Sequence, residues 1–245
     1  MKKLEITIPV YNEAVELATN IAKLHDFCKQ NLTHYAWNIT IADNASTDQT
    51  PVIGQQLINT YEHLIYKRLS KKGRGNAVKT TWKESGADIC SYMDIDLSTD
   101  LAYFPSLVDS LNNGYDIAVG SRLKPGATVI ERSIKREFIS RMYNFLVMAA
   151  FQTRFSDAQC GFKAVTKKVV QQLIPHIVDD EWFMDSELLI VGEKAGYRIF
   201  EEPVVWKDNP GSTVRVLPTA MGDLKGLLRL FVHRPWRILT NDYRR

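Results

Sequence analysis

A regular alternation of apolar strands, polar loops and helices is the feature that most limits the fold of this chain. Residues 4–10 and 37–42 are rich in β-branched side chains, and each segment ends in a polar loop before a helical pattern at about 14–29 and 50–61. A third strand pattern follows at 64–68. This alternation predicts an α/β protein with a single mostly parallel central sheet flanked by helices. Ligands bind such sheets at the carboxyl ends of the strands, so the polar loops should face one crevice.

The fourth predicted strand runs directly into two carboxylates, Asp94 and Asp96. Residues i and i+2 of an extended chain point to the same side, so the two side chains should converge at the end of the strand, with the Ser98 hydroxyl nearby. Hard oxygen ligands at this spacing suit Mg²⁺ or Mn²⁺ held between the protein and the phosphates of a substrate. The alternative interpretation is an Asp-rich turn after a strand.

A basic, glycine-containing loop at residues 70–77 opens a helix that extends to Ser85. Glycine with Arg or Lys at a helix N-terminus could bind phosphate, although many such loops are only turns. The loop is neither the dinucleotide-binding fingerprint nor a Walker loop. Its sequence therefore disfavours a Rossmann dehydrogenase.

The second half of the chain continues the alternation. Its predicted elements are helices at about 101–112, 130–151, 167–174 and 186–195, and strands at 116–119 and 198–205. Residues 221–231 carry an apolar stripe at helical spacing, with Lys225 and Arg229 on the opposite side. An interfacial helix on an anionic membrane and an ordinary packed terminal helix both fit this pattern.

Composition and charge limit the binding partners and the cellular location expected for this protein. A formal net charge of +3 over 245 residues does not call for a polyanionic partner, so we expect no nucleic acid. Three cysteines without a Cys-x-x-Cys motif favour reduced thiols in a cytosol. No secretory signal is visible, and the apolar run at 145–151 is far shorter than the roughly 20 residues that span a membrane. These observations lead us to expect a cytoplasmic protein that is either soluble or lies on a membrane surface.

Taken together, these segments resemble family 2 glycosyltransferases of the GT-A fold, a Rossmann-like nucleotide-sugar-binding fold. The resemblance is closest to polyprenyl-phosphate (dolichyl-phosphate) glucosyl- and mannosyltransferases, and it extends from residue 6 to about residue 215. It rests on the combination of segments 9–13 (PVYNE), 42–48 (ADNASTD), 72–75 (KGRG), 94–96 (DID) and 120–122 (GSR). Segments 157–163 (DAQCGFK) and 182–187 (WFMDSE) resemble the glucosyl branch.

The resemblance implies a role for individual residues on the donor side. Asp94 and Asp96 would bind the divalent metal, Mg²⁺ or Mn²⁺, on the diphosphate, with Asp96 counted as catalytic. Ser98 departs from mannosyl relatives, in which a glutamine there helps to coordinate the metal. The residues implied to line the nucleotide-sugar are Pro9, Tyr11, Glu13, Asp43, Lys72, Arg74, Asp94, Ile95, Asp96 and Arg215.

On the acceptor side, the resemblance implies that Arg122 and Arg136 bind a phosphate and act in catalysis. Asp157 is included among the catalytic residues. The other residues expected at the acceptor are Gln159, Asp185 and Glu187. We expect residues 1–217 to form the catalytic domain and residues 218–245 to form a basic amphipathic extension.

The implied reaction is the inverting transfer of a hexose, with glucose favoured, from a nucleotide-sugar to a polyprenyl phosphate. UDP-glucose is the favoured donor and GDP-mannose, used by a polyprenyl-phosphate mannosyltransferase, is the alternative. A phosphate monoester is already mostly dianionic at neutral pH, so it needs cations for positioning rather than a general base.

Other readings of the same residues stay open. A hydroxyl acceptor on a glycan or glycolipid would need a base, for which Asp157, Asp185 and Glu187 are candidates that could equally be structural. A non-catalytic nucleotide-sugar-binding protein is disfavoured by the intact pair Asp94 and Asp96. Many relatives carry membrane helices, so a membrane surface and a membrane-anchoring partner are also expected.

Overall fold

The computed structural model describes residues 1–208 and 216–242. The strands are β1 (Lys2–Val10), β2 (Tyr35–Asp43), β3 (Leu64–Arg68), β4 (Ile89–Met93), β5 (Ile117–Ser121), β6 (Thr128–Ile130), β7 (Phe162–Thr166), β8 (Ile199–Pro203) and β9 (Val205–Lys207). The helices are α1 (Leu17–Asn31), α2 (Thr50–Ile58), α3 (Arg74–Ser85), α4 (Phe104–Asn112), α5 (Ile134–Phe151), α6 (Lys167–Gln172), α7 (Met184–Lys194), α8 (Val216–His233) and α9 (Trp236–Asp242). Short 3₁₀ turns occupy Leu101–Tyr103 and Ile174–His176.

Seven strands form the central sheet in the order β3-β2-β1-β4-β7-β5-β8. Every neighbouring pair is parallel except the two pairs made by β7, which runs antiparallel to β4 and β5. The mostly parallel sheet predicted from the sequence is therefore confirmed. The reversed direction of β7 places its first residue, Phe162, beside Met93 at the carboxyl end of β4.

A second, two-stranded sheet pairs β6 with β9 in parallel. Sequence periodicity predicted one helix over 130–151, but the structure has strand β6 at its start. Ser133 then caps α5, because its side-chain oxygen accepts a hydrogen bond from the Arg136 N–H. Between the strand and the cap, Glu131 adopts a left-handed conformation with φ of 62°.

The core lies on both faces of the sheet, which explains why the central strands are apolar along their whole length. Ile6 and Ile8 of β1 and Ile41 of β2 are fully buried. Helix α1 covers one face with Leu17, Ile21, Leu24 and Cys28, an apolar stripe at helical spacing. Three leucines of the C-terminal helices, Leu227, Leu230 and Leu239, belong to the same core.

Helices α5 and α8 pack against each other and expose large apolar side chains. We define this apolar face by its most exposed members, which are Ile134, Phe138, Met142 and Phe145 of α5 and Met221, Leu224, Leu228, Phe231 and Val232 of α8. A patch of this size on a monomer usually marks an interaction surface. Among the described residues, no helix combines the length and apolarity required to cross a bilayer.

Candidate active site

The loops that follow β1, β2 and β3 are joined by hydrogen bonds at the carboxyl edge of the sheet. The Asn12 side-chain oxygen accepts from the Thr47 N–H at 2.8 Å, and the Asn44 side-chain oxygen accepts from the Gly73 N–H at 2.6 Å. Asn12 takes up a left-handed conformation, which asparagine tolerates better than most residues. The crevice expected at this edge is therefore built from the predicted loops.

Asp43, at the end of β2, organises this edge. Its side chain is fully buried, and its oxygens accept hydrogen bonds from the Ser46 N–H at 2.8 Å and from the Tyr66 hydroxyl. Both oxygens are thus used within the protein. A direct contact of Asp43 with a nucleotide stays a prediction.

The rim of the crevice carries the half-exposed ring of Tyr11, with the Lys72 ammonium 3.6 Å from the ring centroid. Such a pair offers a flat aromatic surface and a positive charge side by side. Pro9, at the end of β1, is buried beneath it. Ile95 is also buried, so only its backbone could touch a ligand.

Carboxylates gather beyond the end of β4. Asp94 is 43% exposed, and Asp96 accepts a hydrogen bond from the Ser98 N–H at 3.0 Å. Burial raises the pKa of Asp96, and the neighbouring Asp94 raises it further. Burial, followed by repulsion from Glu16 and Asp96, raises the pKa of Glu13 to about 7. A cation placed between these groups would relieve the repulsion that shifts both pKa values.

The donor set at this point fits Mg²⁺ or Mn²⁺. Among the residues that the structure describes, no three His, Cys, Asp or Glu side chains are grouped as a complete metal site. Asp94 and Asp96 supply hard oxygens, and such ions typically complete their coordination with substrate phosphates and water. An ion held by Asp94 and Asp96 would act as a Lewis acid that stabilises a departing diphosphate.

Asp94 is held in place by a buried network of opposite charges. Arg74 donates to Asp94 Oδ1 from Nε at 3.2 Å and from Nη2 at 2.6 Å, and to Asp185 Oδ2 from Nη1 at 2.7 Å. Lys163, fully buried, donates to Asp185 Oδ1 at 2.8 Å, and the Tyr92 hydroxyl donates to the same oxygen. Two cations and two anions balance here, so Arg74 and Asp185 act within the protein, and their predicted ligand contacts stay predictions.

Gly161 makes room for this network. A Cβ atom at position 161 would overlap Asp94 Oδ2 and would lie 2.9 Å from Arg74 Nη2. The segment 157–163 thus forms the wall behind Asp94, a role that the sequence reasoning missed. Lys163 was missed too, although a lysine in the apolar strand β7 was a signal of a buried charge with a partner.

The acceptor side contains a bidentate ion pair between Arg122, just after β5, and Asp157. Nε donates to Oδ2 at 2.7 Å and Nη2 donates to Oδ1 at 2.9 Å, while the Arg122 N–H also donates to Oδ2. Although burial opposes ionisation, Arg122 lowers the pKa of Asp157 to about 2. Asp157 is therefore a poor proton acceptor at neutral pH.

Arg136, in the first turn of α5, lies at the same side of the molecule. Its Nη1 donates to both oxygens of Asp208, at 2.8 Å and 2.7 Å. The guanidinium is 37% exposed, so it can be reached from solvent. Arg215, predicted at the donor, lies outside the described residues.

The remaining predicted acceptor residues contact α8. Gln159 donates a hydrogen bond from its side-chain amide to Asp223 at 2.7 Å, and Arg229 forms an ion pair with Glu187, with Nη2 2.9 Å from Oε1. Glu187 also accepts the N–H groups of Val178 and Asp179. Their proximity to an acceptor stays a prediction, but they tie α8 to the walls of the crevice.

Comparison with known proteins identifies the family. The family model of glycosyl transferase family 2 matches residues 5–174, which include the carboxylates after β4, the loop at 70–77 and the arginine after β5. The chain belongs to glycosyltransferase family 2. It is 31% identical over 229 residues to glycosyltransferase AglD of Haloferax volcanii, covering 93% of this chain and 36% of that protein. It therefore spans about a third of this longer relative.

Two further relatives share less identity but more of their length with this family 2 glycosyltransferase. The dolichyl-phosphate beta-glucosyltransferase of Dictyostelium discoideum is 26% identical over 240 residues, covering 93% of this chain and 73% of that protein. The enzyme of the same name from Saccharomyces cerevisiae is 26% identical over 228 residues, covering 85% of this chain and 68% of that protein.

Solved structures confirm the fold of the family 2 chain. Glucosyl-3-phosphoglycerate synthase from Mycobacterium tuberculosis, in complex with Mn²⁺, UDP-glucose and phosphoglyceric acid, superposes with a TM-score of 0.68 at 13% identity, covering 96% of this chain and 80% of that one. TarS of S. aureus gives a TM-score of 0.58 at 14% identity, covering 94% of this chain and 64% of that one. The fold is GT-A, as the sequence predicted.

Proposed function

We propose that this family 2 glycosyltransferase transfers glucose from UDP-glucose to a polyprenyl phosphate with inversion at the anomeric carbon. The observation that carries the proposal is the state of the carboxylates on the acceptor side. Asp157, Asp185 and Glu187 are all buried in ion pairs, and the pKa of Asp157 is about 2. Burial opposes ionisation of Asp185, but Lys163 and Arg74 lower its pKa. Burial raises the pKa of Glu187, yet its oxygens are engaged by Arg229 and by the N–H groups of Val178 and Asp179. The acceptor best suited to this side is therefore one that needs no base.

A phosphate monoester meets that requirement. One of its oxygens attacks the anomeric carbon, the bond from that carbon to the nucleotide diphosphate breaks, and the leaving diphosphate takes the electron pair. No proton moves when the monoester enters as a dianion, its main form at neutral pH. Arg122 and Arg136 bind and orient the dianion in this proposal, since guanidinium matches the geometry of phosphate oxygens.

On the donor side, Asp94 and Asp96 hold Mg²⁺ or Mn²⁺ against the diphosphate, and Tyr11 and Lys72 line the nucleotide. Two relatives are named dolichyl-phosphate beta-glucosyltransferase, which supports glucose and a dolichyl-type acceptor. The structural neighbour in complex with Mn²⁺ and UDP-glucose supports a divalent metal and a uridine nucleotide. GDP-mannose is the donor to test against UDP-glucose.

A second candidate function is transfer to a hydroxyl of a glycan or glycolipid. One observation favours it, because a pKa of about 7 would allow Glu13 to accept a proton near neutral pH. Glu13 lies among the metal-binding carboxylates, however, and a bound cation would lower its pKa again.

The acceptor places the reaction at a membrane. We propose that the apolar face of α5 and α8 lies on the cytoplasmic surface of an anionic bilayer, with the exposed Lys225 of α8 among its cationic neighbours. Arg229, predicted on the same polar side, instead pairs with the buried Glu187. Amphipathic helices with such composition bind the boundary between headgroups and acyl chains. The division into a catalytic domain at 1–217 and a basic extension at 218–245 is kept as part of this proposal, as is a membrane-anchoring partner.

A transfer assay tests the function directly. Radiolabelled UDP-glucose and GDP-mannose are offered in parallel with a short polyprenyl phosphate, the corresponding polyprenol and a saccharide. We expect label to appear in the lipid phosphate from UDP-glucose, and only with a divalent metal present. Equal or faster transfer to the polyprenol or the saccharide would replace the proposal by the hydroxyl alternative, and preference for GDP-mannose would correct the donor.

A further inference from the structure

The arginines between β5 and the middle of α5 differ in how completely their charges are balanced. Arg122 has the whole carboxylate of Asp157, and Arg136 contacts both oxygens of Asp208. Each of these two pairs is electrically neutral. A phosphate that binds either guanidinium must compete with a carboxylate already in place.

Arg132 is balanced differently, because it shares one carboxylate with a second arginine. Its Nη1 donates to Glu137 Oε2 at 3.0 Å, while Arg141 donates to Glu137 Oε1 at 2.6 Å. One negative charge therefore faces two guanidiniums. Arg141 is 61% exposed and can be solvated by water, but Arg132 is only 10% exposed. The excess positive charge is thus poorly solvated at Arg132.

Arg132 also carries an unsatisfied donor. Its Nε is buried and makes no hydrogen bond with the residues that the structure describes. Buried N–H groups are nearly always paired, and an unpaired one attached to a charge is costly. Burial, and next the charge of Arg122, lowers the pKa of Arg132. An anion at Nε would satisfy the donor and offset both effects.

Arg132 and Arg122 contact the same aromatic ring. Trp206 of β9 lies opposite Val129 of β6, and the guanidinium carbons of Arg122 and Arg132 each lie 5.5 Å from the centroid of its ring. Between β6 and Arg132, the chain turns at Glu131 through a left-handed conformation that is unfavourable for a residue with a side chain. Strained turns of this kind persist where surrounding structure fixes them, often beside a site of function.

We propose that Arg132 is a further acceptor-binding residue, which together with Arg122 binds a phosphate monoester beside Trp206. This inference rests on the proposed function. It adds Arg132 to the acceptor site, because Arg132 shares its one carboxylate partner with Arg141. The ligand class is a phosphate monoester on an uncharged lipid chain. Asp157 fixes the position of the Arg122 guanidinium, which orients the phosphate. Arg132 binds the dianion through its positive charge and its Nε–H group.

Equilibrium binding of a short polyprenyl phosphate, measured by calorimetry without donor, tests the assignment independently of turnover. We expect Arg132→Ala to weaken this binding at least about tenfold, roughly the loss of one charge-assisted hydrogen bond. Arg132→Lys should restore part of the affinity through its charge. Binding of UDP with Mn²⁺, at the other side of the crevice, should be unchanged in both variants.

Arg141→Ala is the matched control, because it removes the other partner of Glu137 without touching Trp206. Because Glu137 would then face Arg132 alone, this variant should weaken binding by clearly less than Arg132→Ala does, since the Nε donor of Arg132 is kept. Inorganic phosphate and the corresponding polyprenol are titrated in parallel. We expect inorganic phosphate to compete weakly and in a manner that depends on Arg132, whereas binding of the polyprenol should not depend on it.

The outcomes separate the two proposals. If the wild-type protein prefers the lipid phosphate to the polyprenol but folded Arg132→Ala binds it equally well, the assignment of Arg132 is wrong and the proposed function stands. If the wild-type protein does not distinguish the phosphate from the alcohol, the phosphate acceptor itself is wrong. A loss of affinity in Arg141→Ala as large as in Arg132→Ala would also overturn the assignment, since it would reflect Glu137 rather than Arg132.

Discussion

The carboxylate of Asp94 is oriented by its neighbours before any ligand binds. Its Oδ1 accepts two hydrogen bonds from Arg74, and its Oδ2 faces the backbone of Gly161. The side chain thus has one orientation before any ligand arrives. Asp96 accepts a hydrogen bond from the Ser98 N–H and forms no ion pair with a residue in the described part of the chain.

We predict that Asp96→Asn lowers kcat by about 100-fold or more, equal to about 2.7 kcal/mol in the activation barrier. The reason is the loss of a negative oxygen that offsets the metal charge while the diphosphate departs. Steady-state kinetics with Mn²⁺ measure the effect, and a circular dichroism spectrum checks the fold. Full activity of the wild-type protein in excess EDTA would contradict any role of a metal.

Gly161→Ala should weaken Mn²⁺ binding in the presence of UDP by about tenfold or more, or about 1.4 kcal/mol. The added Cβ would overlap Asp94 Oδ2 and force the carboxylate or Arg74 to move. Calorimetry reports the affinity without turnover.

Gly222→Ala is the control for Gly161→Ala, because a Cβ at position 222 on α8 meets open space. It should leave Mn²⁺ affinity unchanged and add about 0.5–1 kcal/mol of helix stability. Equal Mn²⁺ affinities of both variants and the wild-type protein would show that the contact with Asp94 has no effect on metal binding.

Sequence reasoning located the carboxylates but not their surroundings. Asp94 and Asp96 were predictable because the period of a strand places i and i+2 on one side. The pairing of Arg74 with Asp185, at a sequence separation of 111, was not predictable, because it depends on how α3 and α7 approach across the sheet. The same holds for Arg122 and Asp157, whose ion pair turns a candidate base into a fixed counter-ion.

At the level of secondary-structure elements, helix α8 connects the apolar face with the crevice. Its buried Asp223 accepts a hydrogen bond from Gln159 on one oxygen, and its other oxygen has no partner among the described residues. Burial raises the pKa of Asp223 to about 6. Since the unfolded chain ionises near pH 3.9, the folded protein holds the proton more tightly than the unfolded chain.

We therefore predict that the contribution of Asp223 to the free energy of unfolding falls by up to ~3 kcal/mol as pH rises from about 4 to about 6. Asp223→Asn cannot ionise, so its free energy of unfolding relative to the wild-type protein should increase over the same interval. Denaturant titrations at pH 4, 5, 6 and 7 measure the difference. A difference that does not change with pH would show that Asp223 ionises normally in the folded protein.

A second prediction concerns the apolar face formed by helices α5 and α8. Phe145→Glu on α5 and Leu228→Glu on α8 should each reduce co-sedimentation with vesicles that contain anionic phospholipid, because a charge would enter the acyl boundary. Val52→Glu on α2 is the control, since Val52 is 51% exposed and lies on a different helix. If all three variants sediment like the wild-type protein, the face does not contact lipid.

Element boundaries were predicted well for β3 and α3, but the two shortest strands were not predicted. The strand at 64–68 and the end of α3 at Ser85 agree with the structure. Strands β6 and β9 are three residues each, too short for a periodic signal, and they form only because they pair with each other. The local sequence around residue 130 carries no sign of this pairing, so it predicts the beginning of a helix there.

For the whole molecule, the C-terminal helices α8 and α9 contribute side chains to the core. Leu227, Leu230 and Leu239 are buried, and each such side chain contributes about 1.5–3 kcal/mol. Arg229 also pairs with the buried Glu187.

We predict that a chain ending at residue 217 unfolds at a markedly lower temperature than the full chain. The loss of leucine burial and an unpaired Glu187 act together, and breaking a buried pair costs about 3–5 kcal/mol. Thermal unfolding followed by circular dichroism measures the change. An unchanged midpoint would show that residues 1–217 are an independent unit, and for this reason membrane binding is better tested with point variants.

The single reversed strand, β7, has a consequence for how enzymes of this architecture can diversify. Strand β7 begins beside the carboxyl ends of β4 and β5 because it runs antiparallel to both. Residues 122–161, which connect β5 to β7, therefore start and finish at the same edge of the sheet. That excursion contains α5 and both partners of the Arg122–Asp157 pair, whereas β1 to β4 lie entirely before it. Changes of length or sequence in this excursion can therefore alter the surroundings of Arg122 and Asp157 while β1 to β4 keep their sequence, provided that Gly161, which packs against Asp94, is kept.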